Sequence, residues 1–217
     1  MGAGAPPWAV IVDRRLIHIV DDEDAVRRSA GFMLKTSGFA VEGWPSGVAF
    51  LKEVRHAALG CILLDMRMPE MDGLEVQQVL IERGVAMPVI MLTGHADVSI
   101  AVRAMKAGAI DFIEKPFEKA VVLAAIENAF AWLIDKDGRA NRADEASLVL
   151  ARLTPRERDV LDGLAQGLPN KSIAYDLGIS PRTVEVHRAN IMTKLSARSL
   201  SEALRLAFAA GLGLDAG

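Results

Sequence analysis

From residue 16 to about residue 134, short apolar runs rich in Val, Ile and Leu alternate with stretches whose apolar positions recur every three to four residues. The short runs predict strands at residues 16–20, 39–44, 61–64, 89–92 and 110–113. The periodic stretches predict helices at 24–37, 47–54, 73–83, 97–107 and 118 to about 132. Continuous apolar runs mark strands buried on both faces, which means a parallel sheet with helices on either side. Five strand–helix repeats therefore predict one doubly wound α/β domain over residues 15–134. The pattern then breaks into the polar stretch KDGRANRADEAS, read as a linker over 135–150 or a weak continuation of the last helix. From Thr154 onward only helical signals occur, so residues 151–217 are expected to form a second, all-α domain.

Helix punctuation in that second domain is explicit. Thr154, Pro155 and Glu157 have the spacing of a capping box with proline at the first helical position, and the helix they open is expected to stop at Gly167. A second helix is expected at 170–177. Gly178 supplies the left-handed turn, and Ser180 and Pro181 open a third helix that ends near Leu195. Two helices joined by a short glycine turn are a helix-turn-helix signal. At 100° per residue, Val184, Ile191 and Leu195 share one face of the third helix. Arg182, Val186, Ala189 and Thr193 share the other, flanked by Glu185 and Asn190. Small and polar side chains on an exposed face can enter a major groove; the same pattern also suits a solvated bundle face.

Composition narrows the class. Hydrophobic residues at 51% with only 5% aromatics suit helices packed around a buried sheet better than a β-sandwich. The single Cys61, inside an apolar run, fits a buried hydrophobe and a reducing compartment rather than a disulfide framework. No apolar run reaches the length of a membrane span, so no membrane partner and a cytoplasmic location are expected. Residues 1–14 read as an extension without chemistry. Charge is uneven: residues 1–135 carry 13 Lys and Arg against 18 Asp and Glu, whereas residues 151–217 carry 9 against 7. A balance of +2 permits nucleic-acid binding without demanding it.

Candidate chemistry lies where open α/β sheets place their ligands, at the carboxyl ends of the strands. Asp21 and Asp22 follow the first strand, Asp65 the third, Thr93 the fourth and Lys115 the fifth. Three carboxylates about 5 Å apart would repel by roughly 3 kcal/mol per pair at an effective dielectric near 20, so they need a cation or protons. Hard oxygen donors with open positions suit Mg²⁺. Asp65 is then a carboxylate nucleophile able to form an acyl phosphate. Thr93 would donate its hydroxyl to a phosphoryl oxygen, and Lys115 would balance phosphate charge. Pro116 would fix the lysine's backbone through a cis bond.

The blocks LIHIVDDE, LLDMRMPEMDG, PVIMLTGHAD and GAIDFIEKPF resemble, in order and spacing, the four signatures of bacterial response-regulator receiver domains, which are flavodoxin-like. That resemblance implies that Asp65 takes phosphate from a sensor histidine kinase. It places Asp22, Asp65 and the backbone carbonyl of Arg67 on the metal, with Asp21 acting through water. It also implies a switch in which Thr93 moves toward the phosphate and Phe112 turns inward; Phe112 stands where the family more often has Tyr. Residues 151–212 resemble the four-helix LuxR-type domain through LTPRERDVL, GLPNKSIA and ISPRTVEVHRANIMTKL, and the whole chain looks closest to the FixJ branch of the FixJ/NarL regulators. The implied partners are promoter DNA, RNA polymerase and a second copy of the chain, with activation the expected outcome. Lys171, Arg182 and Lys194 become candidates for phosphate contacts, and Thr183, Glu185, Val186, Ala189 and Asn190 for the DNA-facing set. Arg188 is expected nearer the core. Val98, Val102, Lys106 and Asp111 are expected to be exposed on the fourth helix and fifth strand, where two phosphorylated receivers would pair.

Other readings compete. A nucleophilic Asp beside Mg²⁺ also serves aspartyl-phosphate phosphatases, although the sequence has no lid insertion. The chain could be a phosphate sink with a vestigial DNA domain, or a constitutive dimer tuned by phosphate. Phe112 could be core filler. His18 is expected to be buried or sheet-facing rather than a phosphate carrier, His95 to be a loop residue, and His56 and His187 have no metal-ligand spacing.

Overall fold

The computed structural model describes residues 15–94, 98–134 and 142–213. The N-terminal extension, His95 and residues 135–141 of the expected linker lie outside the described residues. The chain forms two compact units, Met1–His95 with Ala107–Lys136, and Ala96–Lys106 with Asp137–Gly217.

The first unit is a parallel sheet of β1 (Leu16–Val20), β2 (Ala40–Trp44), β3 (Cys61–Asp65), β4 (Val89–Thr93) and β5 (Asp111–Glu114), in the order β2-β1-β3-β4-β5. Helices α1 (Asp24–Thr36), α2 (Gly47–Glu53), α3 (Gly73–Glu82) and α5 (Lys119–Ile134) belong to it. Every residue of β1, β3 and β4 is buried, as continuous apolar runs require. Ile17, Ile19, Leu63, Ile90 and Leu92 point to one face and pack with Leu34 of α1 and Ile126 and Phe130 of α5. Alternation sends His18, Val20, Ile62, Leu64 and Met91 to the other face, where they are buried as well. Val20 of β1 is in register with Leu64 of β3, and Asp65 with Leu92 of β4. Thr93 is in register with Glu114 of β5. The carboxyl ends of four adjacent strands thus share one edge of the sheet.

Gly73 sets how closely α3 approaches that edge. A Cβ at this position would come within 2.5 Å of the Asp65 carbonyl oxygen, so only glycine lets the helix start here. Its N–H donates to the carbonyl of Met66 at 2.9 Å.

The second unit contains α4 (Val98–Lys106), α6 (Arg142–Leu150), α7 (Pro155–Ala165), α8 (Asn170–Leu177), α9 (Pro181–Lys194) and α10 (Leu200–Ala209). The α6 helix departs from the linker expectation over 135–150: residues 142–150 form a helix, with Ala146 and Leu150, four residues apart, buried and the helix packed with α10. Two of the four residues expected to be exposed at the fourth helix and fifth strand are also buried. Helix α4 buries Ala101, Val102, Ala104 and Met105, more than one stripe of a nine-residue helix. Asp111 is 5% exposed and turns onto its own strand, its Oδ1 accepting from the Phe112 N–H at 2.8 Å. Lys106 is exposed and Val98 half-buried.

Thr154 and Glu157 form the expected capping box at the start of α7. Gly178 ends α8 at φ 66°, and Val184, Ile191 and Leu195 of the α9 region face the core. One interaction ties α7 to α9: the buried Glu157 Oε2 accepts from the Thr154 N–H at 2.8 Å and from Lys194 Nζ at 2.6 Å. The Lys194 hydrogen bond, acting against burial, holds the Glu157 carboxyl below its ordinary range. A carboxyl lowered on folding stabilises the fold fully above its unfolded pKa, about 4.3, and that contribution fades as pH falls through the folded value. Lys194→Met should therefore destabilise the second unit by about 1–3 kcal/mol at neutral pH. In chemical denaturation, the gap between wild type and variant should narrow as pH is taken from 7 to below 4.

Candidate functional site

Asp21 immediately follows β1 and is fully buried; Asp65 ends β3 and is 6% exposed. Lys115 follows β5, and its Nζ donates to Asp21 Oδ2 and to Asp65 Oδ1, at 2.6 Å in each case. The other carboxylate oxygens are also held: Asp21 Oδ1 accepts from the Glu23 N–H and Asp65 Oδ2 from the Arg67 N–H, both at 2.9 Å. The Lys115 N–H donates to the Thr93 carbonyl at 2.6 Å, and the Lys115–Pro116 peptide is cis. Thr93 is buried at the end of β4, and Phe112 is half-buried on β5.

Burial raises the Asp65 carboxyl above its ordinary range. The hydrogen bond and charge of Lys115 pull it back without cancelling the effect, and Asp21 adds to the rise. Burial alone would lower the Lys115 ammonium, yet its hydrogen bonds to Asp21 and Asp65 outweigh burial and hold it above its usual value.

The three carboxylates that the sequence places together divide two and one. Asp21 and Asp65 meet at Lys115, whereas Asp22 is exposed, because consecutive side chains leave an extended backbone in opposite directions. Among the described residues no three His, Cys, Asp or Glu side chains form one metal-sized group. Two hard carboxylates, Asp21 and Asp65, converge on the Lys115 ammonium, and carboxylate oxygens are the donor type a hard divalent cation takes.

In the second unit, Lys171, Arg182, Glu185, Val186, Ala189 and Asn190 are exposed. Thr183 is half-buried and completes the N-cap of α9, its N–H donating to Ser180 Oγ at 3.1 Å and its hydroxyl lying 2.8 Å from the same oxygen. Lys194 stands apart from this set, since its ammonium is committed to Glu157. Arg188 turns toward α8 and donates to Asn170 Oδ1 at 2.9 Å.

Several contacts near these residues have no signal in the sequence. Arg27 Nη1 donates to the Asp21 carbonyl at 2.7 Å, bracing the chain beside the buried carboxylate. His18, fully buried, donates from Nε2 to the Ala58 carbonyl at 2.9 Å, while its Nδ1 lies 3.3 Å from Trp44 Nε1 and 3.4 Å from Glu42 Oε2. Held at both ring nitrogens inside the sheet, His18 has a structural role. His56 is exposed, and His187 Nδ1 is buried with no hydrogen-bond partner among the described residues.

Comparison with known proteins matches residues 17–127 to the response regulator receiver domain and residues 151–207 to the bacterial regulatory proteins of the luxR family. The chain is 50% identical to the transcriptional regulatory protein FixJ of Rhizobium meliloti over 91% of this chain and 97% of that protein. It is 41% identical to the response regulator protein TmoT of Ectopseudomonas mendocina, covering 88% of this chain and 87% of that one. Among solved structures it resembles full-length FixJ from B. japonicum at 44% identity, with a TM-score of 0.55 over 90% of this chain and 97% of that chain. The chain belongs to the two-component response regulators that join a receiver domain to a LuxR-type DNA-binding domain, and it is FixJ-like.

Proposed function

We propose that Asp65 accepts a phosphoryl group from a sensor histidine kinase and that this modification drives two receivers together, so that the paired LuxR-type domains bind promoter DNA and activate transcription. The observation that carries this reading is the bridge from Lys115 Nζ to both Asp21 and Asp65. Both Asp65 oxygens are hydrogen-bonded, to Lys115 and to the Arg67 N–H, so the nucleophile is oriented while each oxygen keeps a free lone pair. One of them attacks phosphorus as the donor's nitrogen–phosphorus bond breaks and the histidine leaves. Lys115 then follows the new negative charge onto the phosphoryl oxygens, and the Thr93 hydroxyl donates to another. Asp21, Asp22, Asp65 and the Arg67 carbonyl would hold Mg²⁺, which supplies charge neutralisation when bound.

Movement of Thr93 leaves space for Phe112 to turn inward, and the surface of α4 and β5 becomes the pairing face. With Val102 and Asp111 buried, Val98 and Lys106 are the members of the expected set left to meet a partner. Pairing doubles the contacts to phosphate and sets the half-site spacing near one helical turn. A reader with a net charge of only +2 gains most from such doubling. Each α9 then offers Glu185, Val186, Ala189 and Asn190 to base edges, with Lys171 and Arg182 on the backbone. Contact with RNA polymerase and a cytoplasmic location follow from this reading.

Acetyl phosphate should convert the wild type from monomer to dimer in gel filtration and tighten operator binding. Asp65→Asn should do neither, and an Asp65→Asn protein that dimerises and binds DNA like the phosphorylated wild type overturns the mechanism. Lys171→Ala should weaken binding to all DNA sequences alike and reduce the slope of log affinity against log salt by about 1. Loss at a single operator, with other sequences unaffected, contradicts a phosphate contact at Lys171.

A further inference from the structure

Between α2 and α3 the first unit carries an open groove of about 550 Å³ lined by Val48, Leu51, Lys52, Arg55, Met71 and Arg83. Three of the six side chains are cationic and none is acidic. Residues 1–135 as a whole are acidic, with 18 carboxylates against 13 Lys and Arg, and exposed Glu53, Asp72 and Glu82 adjoin the lining residues in sequence. Lys52 and Arg55 are exposed, and neither side chain makes an ion pair or hydrogen bond among the described residues. Arg83 is positioned: one Nη donates to the Leu51 carbonyl, which steers the guanidinium and leaves its other nitrogens available. Beneath the charges lies an apolar floor, with Leu51 buried and Val48 and Met71 half-buried.

We propose that this groove binds a nucleoside polyphosphate, its phosphates on Lys52, Arg55 and Arg83 and its base against Val48, Leu51 and Met71. Three like charges gathered around one opening repel one another unless an anion joins them. A guanidinium fork matches phosphate oxygens, and a lysine serves as a point charge beside it. The volume lies within the range typical of small-molecule sites, roughly 300–1,000 Å³. The floor selects among anions. An inorganic phosphate leaves it uncovered, and an acidic peptide spreads single charges along a chain. A di- or triphosphate concentrates its charge within the width of the groove and carries a flat ring that a methionine and two aliphatic side chains can cover. The site is separate from Asp65 and does not depend on the DNA-binding reading.

Isothermal titration with ATP and GTP, in EDTA so that no metal bridges the nucleotide to Asp21 and Asp65, tests the assignment on the full-length chain. The expected result is saturable one-to-one binding of at least one nucleotide, weakened by salt, with shifts in the methyl resonances of Val48, Leu51 and Met71. Lys52 and Arg55 are exposed, so the Lys52→Ala/Arg55→Ala double variant should fold and melt like the wild type and still accept phosphate from acetyl phosphate, yet bind at least ~10-fold more weakly. Absence of binding at millimolar nucleotide overturns the proposal. So does binding that the double variant leaves unchanged, which puts the nucleotide elsewhere. Tripolyphosphate binding as tightly as the nucleotide rejects the role of the apolar floor, and with it the ligand class.

Discussion

Two carboxylates buried side by side at the end of a parallel sheet are tolerable only with a cation between them, and Lys115 is that cation here. Much of the first unit serves this arrangement. The parallel order puts β1 and β3 in adjacent positions, so Asp21 and Asp65 are neighbours. β5 lies at the sheet edge beyond β4, near enough for the lysine that follows it to reach across. Gly73 lets α3 close over the Asp65 backbone, and Arg27 holds the Asp21 carbonyl from α1. Burial makes the site responsive because it strengthens each electrostatic contact and raises the cost of any unbalanced charge. The proposed phosphoryl group on Asp65 would alter the balance that the lysine maintains.

The DNA-binding unit uses a related solution for a different end. Glu157 caps the start of α7 and, from the same oxygen, anchors Lys194 at the end of α9. Helix α9, the proposed recognition helix, is thereby held at its far end by an ion pair and in its middle by Arg188 on Asn170 of α8. A helix that reads base edges must be held rigidly by the side that does not face DNA. The cost is that the Lys194 ammonium is committed to a carboxylate, in a segment (151–217) with a net charge of only +2.

Much of this was legible from residue order. The apolar runs of β1, β3 and β4, broken inside only by His18 of β1, point to strands buried on both faces. The capping box at Thr154 and Glu157, the left-handed Gly178 and the Ser180–Pro181 opening are local devices whose physics lies within three or four residues. The convergence of Asp21, Asp65 and Lys115 follows from the topology rule for open α/β sheets once five strand–helix repeats are counted. The α6 helix was not legible, since its first residues continue a polar run and its support comes from α10, some fifty residues away. Nor were the burial of Val102 and Asp111, the exposure of Asp22 beside a buried Asp21, or the commitment of Lys194 to Glu157.

The dividing line is the range of the interaction. Periodicity, caps and turns are decided by neighbours in the chain, so the order of residues is enough to specify the strands, the helices and the strand ends that carry the chemistry. Which of two adjacent aspartates is buried, and whether a lysine is free for a partner or held by a carboxylate 37 residues away, depends on side chains that only folding brings together. Such pairings arise from burial and charge balance in three dimensions, and no pattern along the chain encodes them.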